Sequence, residues 1–263
     1  MGDSWYQQDG VAIRYHLHGS GPRLALIHGV GASLEAWDDV ADRLESSFSI
    51  LRFDLRGLGQ STKVGGRYEL EHFVSDFVGL LDHVGWSQCH VAGHSLGGLI
   101  AQGIAIGHGQ RVSRLALIST VAGRTQEERE RVKVRLRTVA NGIAGDHFQK
   151  SVDRWFTPAF QQANPELIAD LEVRNKGNDP ECYAAAYRVL AETDLADQLT
   201  TIGAPTLVMT GEHDQGSNTR MAKLMHERIA GSELQILDGL RHSILVEAPD
   251  RVATELRDFF LTN

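Results

Sequence analysis

The sequence contains few cysteines and no long apolar run, and each shortage argues against a class of protein. Two cysteines, Cys89 and Cys182, occur in 263 residues, which argues against a disulfide-stabilised secreted fold. No apolar run approaches the roughly 20 residues that a membrane helix needs. The amino terminus has no basic stretch followed by an apolar one, so we expect no signal peptide. Together these features predict a cytoplasmic protein that does not act on a membrane.

Positive charge is also scarce. The chain has 26 Lys and Arg residues against 34 Asp and Glu residues, which gives a formal net charge of −8. A protein that binds nucleic acid needs a surplus of basic residues to neutralise phosphates, so we expect no nucleic-acid partner. A small anionic ligand is not excluded, because one local arginine outweighs a diffuse negative field. The composition leaves the oligomeric state open.

What the sequence does contain is a regular alternation of apolar strands and helical patterns. The turn residues Asp9 and Gly10, followed by alternating apolar and polar residues, predict a β-hairpin. Predicted strands then cover residues 24–27, 48–53, 89–92, 112–118, 206–209 and 234–237, and predicted helices cover residues 34–46, 70–84, 96–107 and about 249–261. Alternating strands and helices indicate βαβ units and a mainly parallel sheet.

This alternation stops after Thr120. Residues 121–194 show helical patterns and many charged residues, and the strand pattern resumes shortly afterwards. We therefore expect one α/β core domain made of residues 1–120 and 195–263, interrupted by a helical insert over residues 121–194.

A candidate nucleophile follows the predicted strand at residues 89–92. That strand runs directly into the sequence GHSLGG, residues 93–98, and a helix follows. In a G-x-S-x-G pattern between a strand and a helix, the serine occupies a tight turn and projects its hydroxyl, and a Cβ on either glycine would clash. Ser95 is the candidate nucleophile, and the Leu96 N–H, which opens the helix, is a candidate oxyanion donor. A plain Gly-rich turn is the alternative.

A second glycine-rich segment ends the first buried strand. Residues 27–32 read IHGVGA, and the backbone N–H of Val30 is a candidate second oxyanion donor. A Gly-rich connection without a catalytic role explains this segment, taken alone, equally well.

The candidate acid and base follow the last two predicted strands. Asp214 follows the first of these strands, and His242 follows the second. Glu212 is a rival for the acid, but it is expected to point away from the site. Any one of the 12 histidines alone would be interpreted as structural. Ser95, Asp214 and His242, however, all stand at ends of strands, where catalytic groups gather in a parallel sheet. They also occur in the chain order serine, acid, histidine that is typical of G-x-S-x-G hydrolases.

These elements together resemble the α/β-hydrolase family over nearly the whole chain. Residues 53–61, FDLRGLGQS, are similar to the D-x-R-G-x-G-x-S loop of many members, in which Asp54 and Arg56 would brace the loop rather than react. The resemblance implies an α/β-hydrolase fold with a mostly parallel eight-stranded sheet flanked by helices. It also identifies the insert as a helical cap that covers the active site. Haloalkane dehalogenases and epoxide hydrolases of this fold have an aspartate where Ser95 stands, which argues against them.

A narrower resemblance lies inside the expected cap. Residues 154–160, RWFTPAF, are similar to 3-oxoadipate enol-lactonases and related carboxylesterases. This resemblance implies a small ester or lactone with a free carboxylate, and Arg154 and Trp155 are the candidate substrate-binding residues. One or two cap arginines that face Ser95 would suffice to bind it, and the cap offers Arg124, Arg129, Arg131, Arg135, Arg137, Arg154, Arg174 and Arg188. The segment after Asp214 lacks the proline that is common in these relatives, so the identity of the lactone stays open.

The predicted function is hydrolysis of a small carboxylic ester or lactone through an acyl-enzyme. His242 would take the proton of Ser95, Asp214 would hold His242, and the Val30 and Leu96 N–H groups would bind the oxyanion. No cofactor is needed for this chemistry. Two alternatives stay open: hydrolysis of a C–C or amide bond by the same groups, and a ligand receptor without catalysis on the same fold.

Two pairs of histidines were weighed as metal ligands. His16 and His18 lie on one face of a predicted strand, and His90 and His94 are four residues apart. Neither pair has a third ligand at the spacing of a metal site, so we expect no metal.

Overall fold

A single sheet of eight strands forms the centre of the computed structural model, which describes residues 2–141 and 146–262. The strands are β1 (Ser4–Gln8), β2 (Val11–Gly19), β3 (Arg23–Ile27), β4 (Ser49–Phe53), β5 (Cys89–His94), β6 (Val112–Ile118), β7 (Thr206–Gly211) and β8 (Glu233–Leu237). Their order across the sheet is β1-β2-β4-β3-β5-β6-β7-β8, and every neighbouring pair from β4 to β8 is parallel. The predicted fold class and the mostly parallel eight-stranded sheet are confirmed.

The antiparallel part of the sheet is the amino-terminal hairpin. Strand β1 pairs with β2, and β2 pairs antiparallel with β4. The connecting residues Asp9 and Gly10 both have positive φ, 51° and 79°. Such φ values form the two-residue turn whose twist matches that of paired strands, so the predicted hairpin is confirmed.

Helices lie between most of the strands. They are α1 (Asp38–Leu44), α2 (Leu70–His83), α3 (Leu96–Gly107), α4 (Gln126–Asn141), α5 (Asp146–Gln149), α6 (Val152–Trp155), α7 (Pro158–Ala163), α8 (Pro165–Lys176), α9 (Pro180–Glu192), α10 (Thr219–Arg228), α11 (Ile244–Glu247) and α12 (Pro249–Leu261). Short 3-10 helices cover Leu34–Trp37, Gly109–Arg111 and Ala196–Thr201. Among the described residues, no helix is both long and apolar enough to cross a membrane.

Each face of the sheet is covered by helices, and alternate strand residues fill the two cores. Ile27 of β3 packs on one face with Phe77 of α2 and Leu99 of α3. Leu26, its neighbour, packs on the other face with residues such as Leu256 of α12. All of these side chains are at most 1% exposed. Burying such a side chain stabilises the fold by roughly 1.5–3 kcal/mol, so both faces contribute to holding the strand ends in place.

The predicted helix over residues 34–46 is wrong at both ends. Its first turn, Leu34–Trp37, is a 3-10 helix, and α1 ends at Leu44. The reason is a tertiary contact, because the Leu34 N–H donates to a carboxylate oxygen of Asp54 at 2.7 Å. This anchor fixes where the chain enters the helix, and the local sequence pattern does not contain it.

Helices α4–α9 lie between β6 and β7, the interval in which the sequence predicts a helical insert. Helices α4 and α9 pack through a small apolar cluster that includes Val132 and Tyr187. At the base of the insert, the Asp194 carboxylate accepts the N–H groups of Gly123 and Arg124 at 2.9 and 3.2 Å. These bonds join the two chain segments that enter and leave the insert. The domain boundaries at residues 121 and 194 stay a prediction.

Candidate active site

Ser95 lies on a strained turn between β5 and α3. Its φ of 57° and ψ of −115° fall where a non-glycine residue pays a conformational cost, so neighbouring contacts must hold it there. The Ser95 N–H donates to the Ile118 carbonyl at 2.9 Å, and the Thr120 hydroxyl donates to the Ser95 carbonyl at 2.7 Å. Both of the Ser95 backbone groups are therefore fixed by the end of strand β6.

The glycines around Ser95 are required by close packing. A Cβ on Gly93 would come within 3.0 Å of the Gly97 carbonyl oxygen, and a Cβ on Gly97 would come within 3.0 Å of the Ile27 carbonyl oxygen. Real Cβ atoms essentially never approach backbone atoms so closely. The G-x-S-x-G pattern is thus needed to bring β5, α3 and the end of β3 together, as the sequence pattern indicates.

Asp214 and His242 are hydrogen-bonded after strands β7 and β8. His242 Nδ1 lies 2.7 Å from Asp214 Oδ2, and the Asp214 side chain is fully buried. Asp214 Oδ1 accepts the N–H groups of Gly216 and Ser217 at 2.8 and 2.9 Å. Burial opposes the charge on Asp214, but the charge of His242 and these hydrogen bonds outweigh it and lower the pKa of the carboxyl. Asp214 is therefore held as a carboxylate that orients the imidazole.

Ser95, Asp214 and His242 meet at one cavity of about 790 Å³. Because His242 Nδ1 is engaged by Asp214, Nε2 is the ring nitrogen left for proton transfer. Glu212, the rival acid, does not line this cavity, and its carboxylate instead accepts the Gly239 N–H at 2.9 Å in an exposed position. The structure brings the three predicted residues together and leaves the rival outside.

His94 is a site residue that the sequence did not single out for the reaction. Its Nε2 donates to the His242 carbonyl at 3.1 Å, and the two ring centroids are 5.0 Å apart. Burial, followed by the nearby charge of His242, lowers the pKa of His94 to about 3, so the ring is neutral. The bond ties the loop that carries His242 to the turn that carries Ser95. Nothing in the local sequence distinguishes this histidine from any other residue between glycine and serine.

The two candidate oxyanion donors lie next to Ser95. Leu96 is the first residue of α3, where backbone N–H groups have no partner inside the helix. Val30 lines the cavity, and a Cβ built on the preceding Gly29 would lie 3.1 Å from the Ser95 Cβ. Within the described residues, neither the Val30 nor the Leu96 N–H is bonded to a protein acceptor. Both donors are thus available to a ligand.

A buried histidine supports the loop that carries Val30. His28 is fully buried, its Nδ1 lies 2.8 Å from the Gly29 carbonyl, and its Nε2 accepts the Leu55 N–H at 3.0 Å. Burial lowers the pKa of His28, which keeps the ring neutral and able to donate on one side and accept on the other. The candidate oxyanion loop is therefore fixed to the loop that follows β4.

The loop after β4 is braced by two carboxylates. The Asp54 carboxylate accepts the N–H groups of Leu34 and Gln60, each at 2.7 Å. Arg56 makes a bidentate pair with Asp76 on α2, with both bonds at 2.6 Å. These contacts agree with the interpretation that Asp54 and Arg56 brace the loop rather than react.

The cavity has two walls of different character. The core wall consists of residues at the strand ends, namely Gly29, Val30, Ser95, Asp214 and His242. The cap wall consists of residues of the insert, and it includes the predicted Arg154 and Trp155 together with Arg124, Arg135, Phe148 and Arg174. Arg129, Arg131, Arg137 and Arg188 of the predicted set are not among the residues that line the cavity.

The cap segment with Arg154 and Trp155 is attached to the His242 loop. The Ser243 N–H donates to the Trp155 carbonyl at 2.9 Å, and Arg241 donates to the Phe156 carbonyl at 3.2 Å. Further along, the Glu247 carboxylate accepts the Thr157 hydroxyl at 2.7 Å. The predicted substrate-binding segment and the predicted base are thus neighbours.

Three of the four histidines weighed as metal ligands have separate surroundings. His16 is near Asp3, at 2.8 Å, while His90 stacks on Phe260 with ring centroids 5.0 Å apart. His94 bonds to the His242 carbonyl. Across residues 2–141 and 146–262, no group of three His, Cys, Asp or Glu side chains is arranged to hold a metal ion.

Comparison with known proteins is consistent with this architecture. The chain is 31% identical to a 3-oxoadipate enol-lactonase of Acinetobacter baylyi, over 94% of this chain and 92% of the relative. It is 30% identical to an (E)-2-((N-methylformamido)methylene)succinate hydrolase of the same species, over 90% of both chains. The crystal structure of an enol-lactonase from Burkholderia xenovorans LB400 superposes with a TM-score of 0.93 at 25% identity, covering 98% of this chain and all of that one.

The model of the α/β hydrolase fold family matches residues 22–249, which include the strand ends that carry the site and the whole insert. These relatives are named as an enol-lactonase and as a hydrolase of a substituted succinate. The chain therefore belongs to the α/β hydrolase fold family.

Proposed function

We propose that the protein is a serine hydrolase that cleaves a small carboxylic ester or lactone through an acyl-enzyme on Ser95. The observation that carries the proposal is the strained Ser95 turn at the same cavity as the Asp214–His242 pair, 2.7 Å between ring nitrogen and carboxylate. A strained nucleophile next to an oriented imidazole is the arrangement that acyl transfer needs.

The proposed reaction has two steps. His242 Nε2 takes the Ser95 proton while Ser95 Oγ attacks the carbonyl carbon, and the oxyanion is held by the Val30 and Leu96 N–H groups. Collapse of the tetrahedral intermediate breaks the bond between the acyl carbon and the leaving-group oxygen, and the protonated His242 donates its proton to that oxygen. Water then attacks the acyl-enzyme with His242 again as base, which releases the acid and restores Ser95.

We further propose that Arg154 and Trp155 bind the substrate, and that the substrate carries a carboxylate. Both residues line the cavity, and Trp155 presents an apolar ring next to the cationic Arg154. A carboxylate that enters a partly dry cavity needs a charged partner, and arginine suits it by its two-pronged geometry. The relatives that act on an enol-lactone or a succinate derivative support this choice.

We propose that residues 121–194 act as a cap over residues 1–120 and 195–263, since cap residues supply one wall of the cavity. We also propose a cytoplasmic location, because both cysteines, Cys89 and Cys182, are unpaired.

The test is turnover of 4-nitrophenyl acetate by the wild-type protein and by Ser95→Ala. We expect Ser95→Ala to fold and to lose about four orders of magnitude in kcat, because the residual rate comes from binding and the oxyanion donors alone. Ser119→Ala is the matched control, since Ser119 is also a buried serine at a strand end with positive φ, 43°.

A folded Ser95→Ala protein that keeps more than a few per cent of the wild-type rate would contradict the proposal. Absence of any turnover by the wild type, with tight binding of an ester or acid, would favour the ligand-receptor alternative. Cleavage of a β-diketone or an amide faster than any ester would favour the other alternative, since the same groups serve those bonds.

A further inference from the structure

Several cations of the insert are paired within the protein itself. Ion pairs join Arg129 to Asp194, Arg131 to Glu127, Lys133 to Glu130, Lys176 to Glu172 and Arg188 to Glu192. Arg124 lines the cavity, but its guanidinium donates to the carbonyls of Leu190, Ala191 and Thr193. These residues need no ligand to satisfy them.

Arg135 and Arg154 differ from this pattern. Both line the cavity, and neither has a carboxylate within 4.0 Å among the residues that the structure describes. Arg174 on the same wall also lacks one, but its side chain is exposed, whereas Arg135 and Arg154 are half-buried. The Arg135 Nε is buried and has no hydrogen-bond partner within residues 2–141 and 146–262. Arg154 is half-buried and donates to the Ser151 hydroxyl. Both side chains are half-buried cations without a carboxylate partner, so each can bind an anion that the protein does not supply.

The two guanidinium groups also act on each other. Burial lowers the pKa of Arg154, and the charge of Arg135 lowers it further. They come from different helices, since Arg135 is on α4 and Arg154 is on α6. A carboxylate placed between them would relieve the repulsion and satisfy two donors at once, which makes the pair a stronger anion site than either residue alone.

The surroundings of the pair define what else the ligand must be. The apolar side chains Val132, Phe148, Trp155, Leu167, Leu171 and Leu190 line the same cavity. An acyl group with an apolar chain and one charged end would match this combination. The scissile bond would lie at the core wall, because Ser95 and His242 are there.

We infer that Arg135 and Arg154 form one carboxylate subsite, and that Arg135 is a specificity-determining residue for half-esters or lactones of a dicarboxylic acid. The inference rests on the proposed function, because it places the scissile carbonyl at Ser95. One carboxyl of the acid would be the scissile acyl group, and the other would be the carboxylate that both arginines share.

The experiment compares mono-4-nitrophenyl adipate with the same compound methylated at its free carboxyl. The wild type should favour the free acid by tenfold or more in kcat/KM, with the preference weakening in high salt. Arg135→Gln should lower this acid-to-ester ratio about tenfold, mainly by raising the KM for the free acid. Arg135→Lys should give an intermediate ratio, because lysine keeps the charge but lacks the planar guanidinium that donates two parallel hydrogen bonds.

Arg131→Gln is the matched control, since it removes a cation from the same helix at an exposed position paired with Glu127. Its ratio should equal that of the wild type. An Arg135→Gln ratio equal to that of the wild type, with hydrolysis intact, would overturn the inference and leave the proposed function standing.

A second measurement separates the two proposals. Adipate itself should raise the Tm of the wild type and of Arg131→Gln, but not of Arg135→Gln. If neither ester is hydrolysed, the proposed function fails, and this adipate shift still decides the role of Arg135. Equal Tm shifts in wild type and Arg135→Gln would overturn the carboxylate subsite whatever the activity.

Discussion

The core wall and the cap wall of the cavity are built in opposite ways. On the core wall, the titratable side chains are held by bonds within the protein: Asp214 accepts two backbone N–H groups and His242, and His94 donates to the His242 carbonyl. On the cap wall, Arg135 has a buried Nε without a partner in the described structure. Groups fixed by the backbone suit a reaction that needs fixed geometry. Groups left unsatisfied suit recognition of a ligand that completes them.

This comparison predicts two classes of variant. Changes in the core wall should lower kcat for every substrate by a similar factor, because they remove groups that act on the scissile bond. Changes at Arg135 or Arg154 should alter the ratio between charged and neutral substrates.

The largest effect is expected for Asp214→Asn. The amide would favour the wrong imidazole tautomer of His242, and kcat should fall by about four orders of magnitude with the fold intact. The measurement is kcat with both adipate esters. A loss confined to the free acid would contradict the assignment of Asp214 to the core wall.

The next effect concerns stability. Gly97→Ala would place a Cβ within 3.0 Å of the Ile27 carbonyl oxygen, so we expect a loss of about 3 kcal/mol in the free energy of unfolding. Gly107→Ala, at the other end of α3, meets nothing within 4 Å and should be neutral or stabilising by up to ~1 kcal/mol. Urea denaturation measures both. Equal stabilities of the two variants would argue against a tightly packed core wall.

A smaller effect is expected for His94→Ala. Without the bond to the His242 carbonyl, the His242 ring should no longer be held in one position, and kcat should fall by about tenfold to a hundredfold for both esters. His94→Gln should recover part of this loss, because its amide nitrogen reaches a similar place to Nε2. A KM effect without a kcat effect, or no recovery by Gln, would mean that His94 only fills space.

The smallest effect is a pH dependence of stability. The folded pKa of His94, about 3, lies below the ordinary value of 6.5, so the unfolded chain binds the extra proton first as pH falls. The contribution of His94 is therefore complete above pH 6.5 and declines in acid, by roughly 1–2 kcal/mol between pH 7 and 5. Urea midpoints of wild type and His94→Gln measure it. An identical acid slope in both proteins would contradict burial of a neutral His94.

The sequence predicts what local patterns encode. The Ser95 turn could be recognised because glycine spacing, strand and helix are all contiguous, and α3 and α12 have the predicted bounds. The order of Ser95, Asp214 and His242 selects one histidine among 12 as the candidate base, and the structure places it 2.7 Å from Asp214. Such features depend on chain order, and chain order is visible in a sequence.

The remaining features depend on contacts between distant segments. His94 bonds to a residue 148 positions away, so no local signal marks it. The eight cap arginines carry the same charge, so charge alone does not separate them in the sequence. Arg154 is selected because it stands in the RWFTPAF segment beside Trp155. Arg135 is distinguished by a buried Nε without a partner among the described residues, which depends on where the other side chains fold.

The most direct test of the central claim is labelling with diethyl 4-nitrophenyl phosphate. Attack by Ser95 Oγ on phosphorus would release 4-nitrophenolate and leave a diethylphosphoryl group on the serine. The account predicts one equivalent of 4-nitrophenolate per chain, a mass increase on the peptide that contains Ser95, parallel loss of esterase activity, and much slower labelling of His242→Ala. A label on another residue, or full esterase activity in a chain labelled at Ser95, would contradict it.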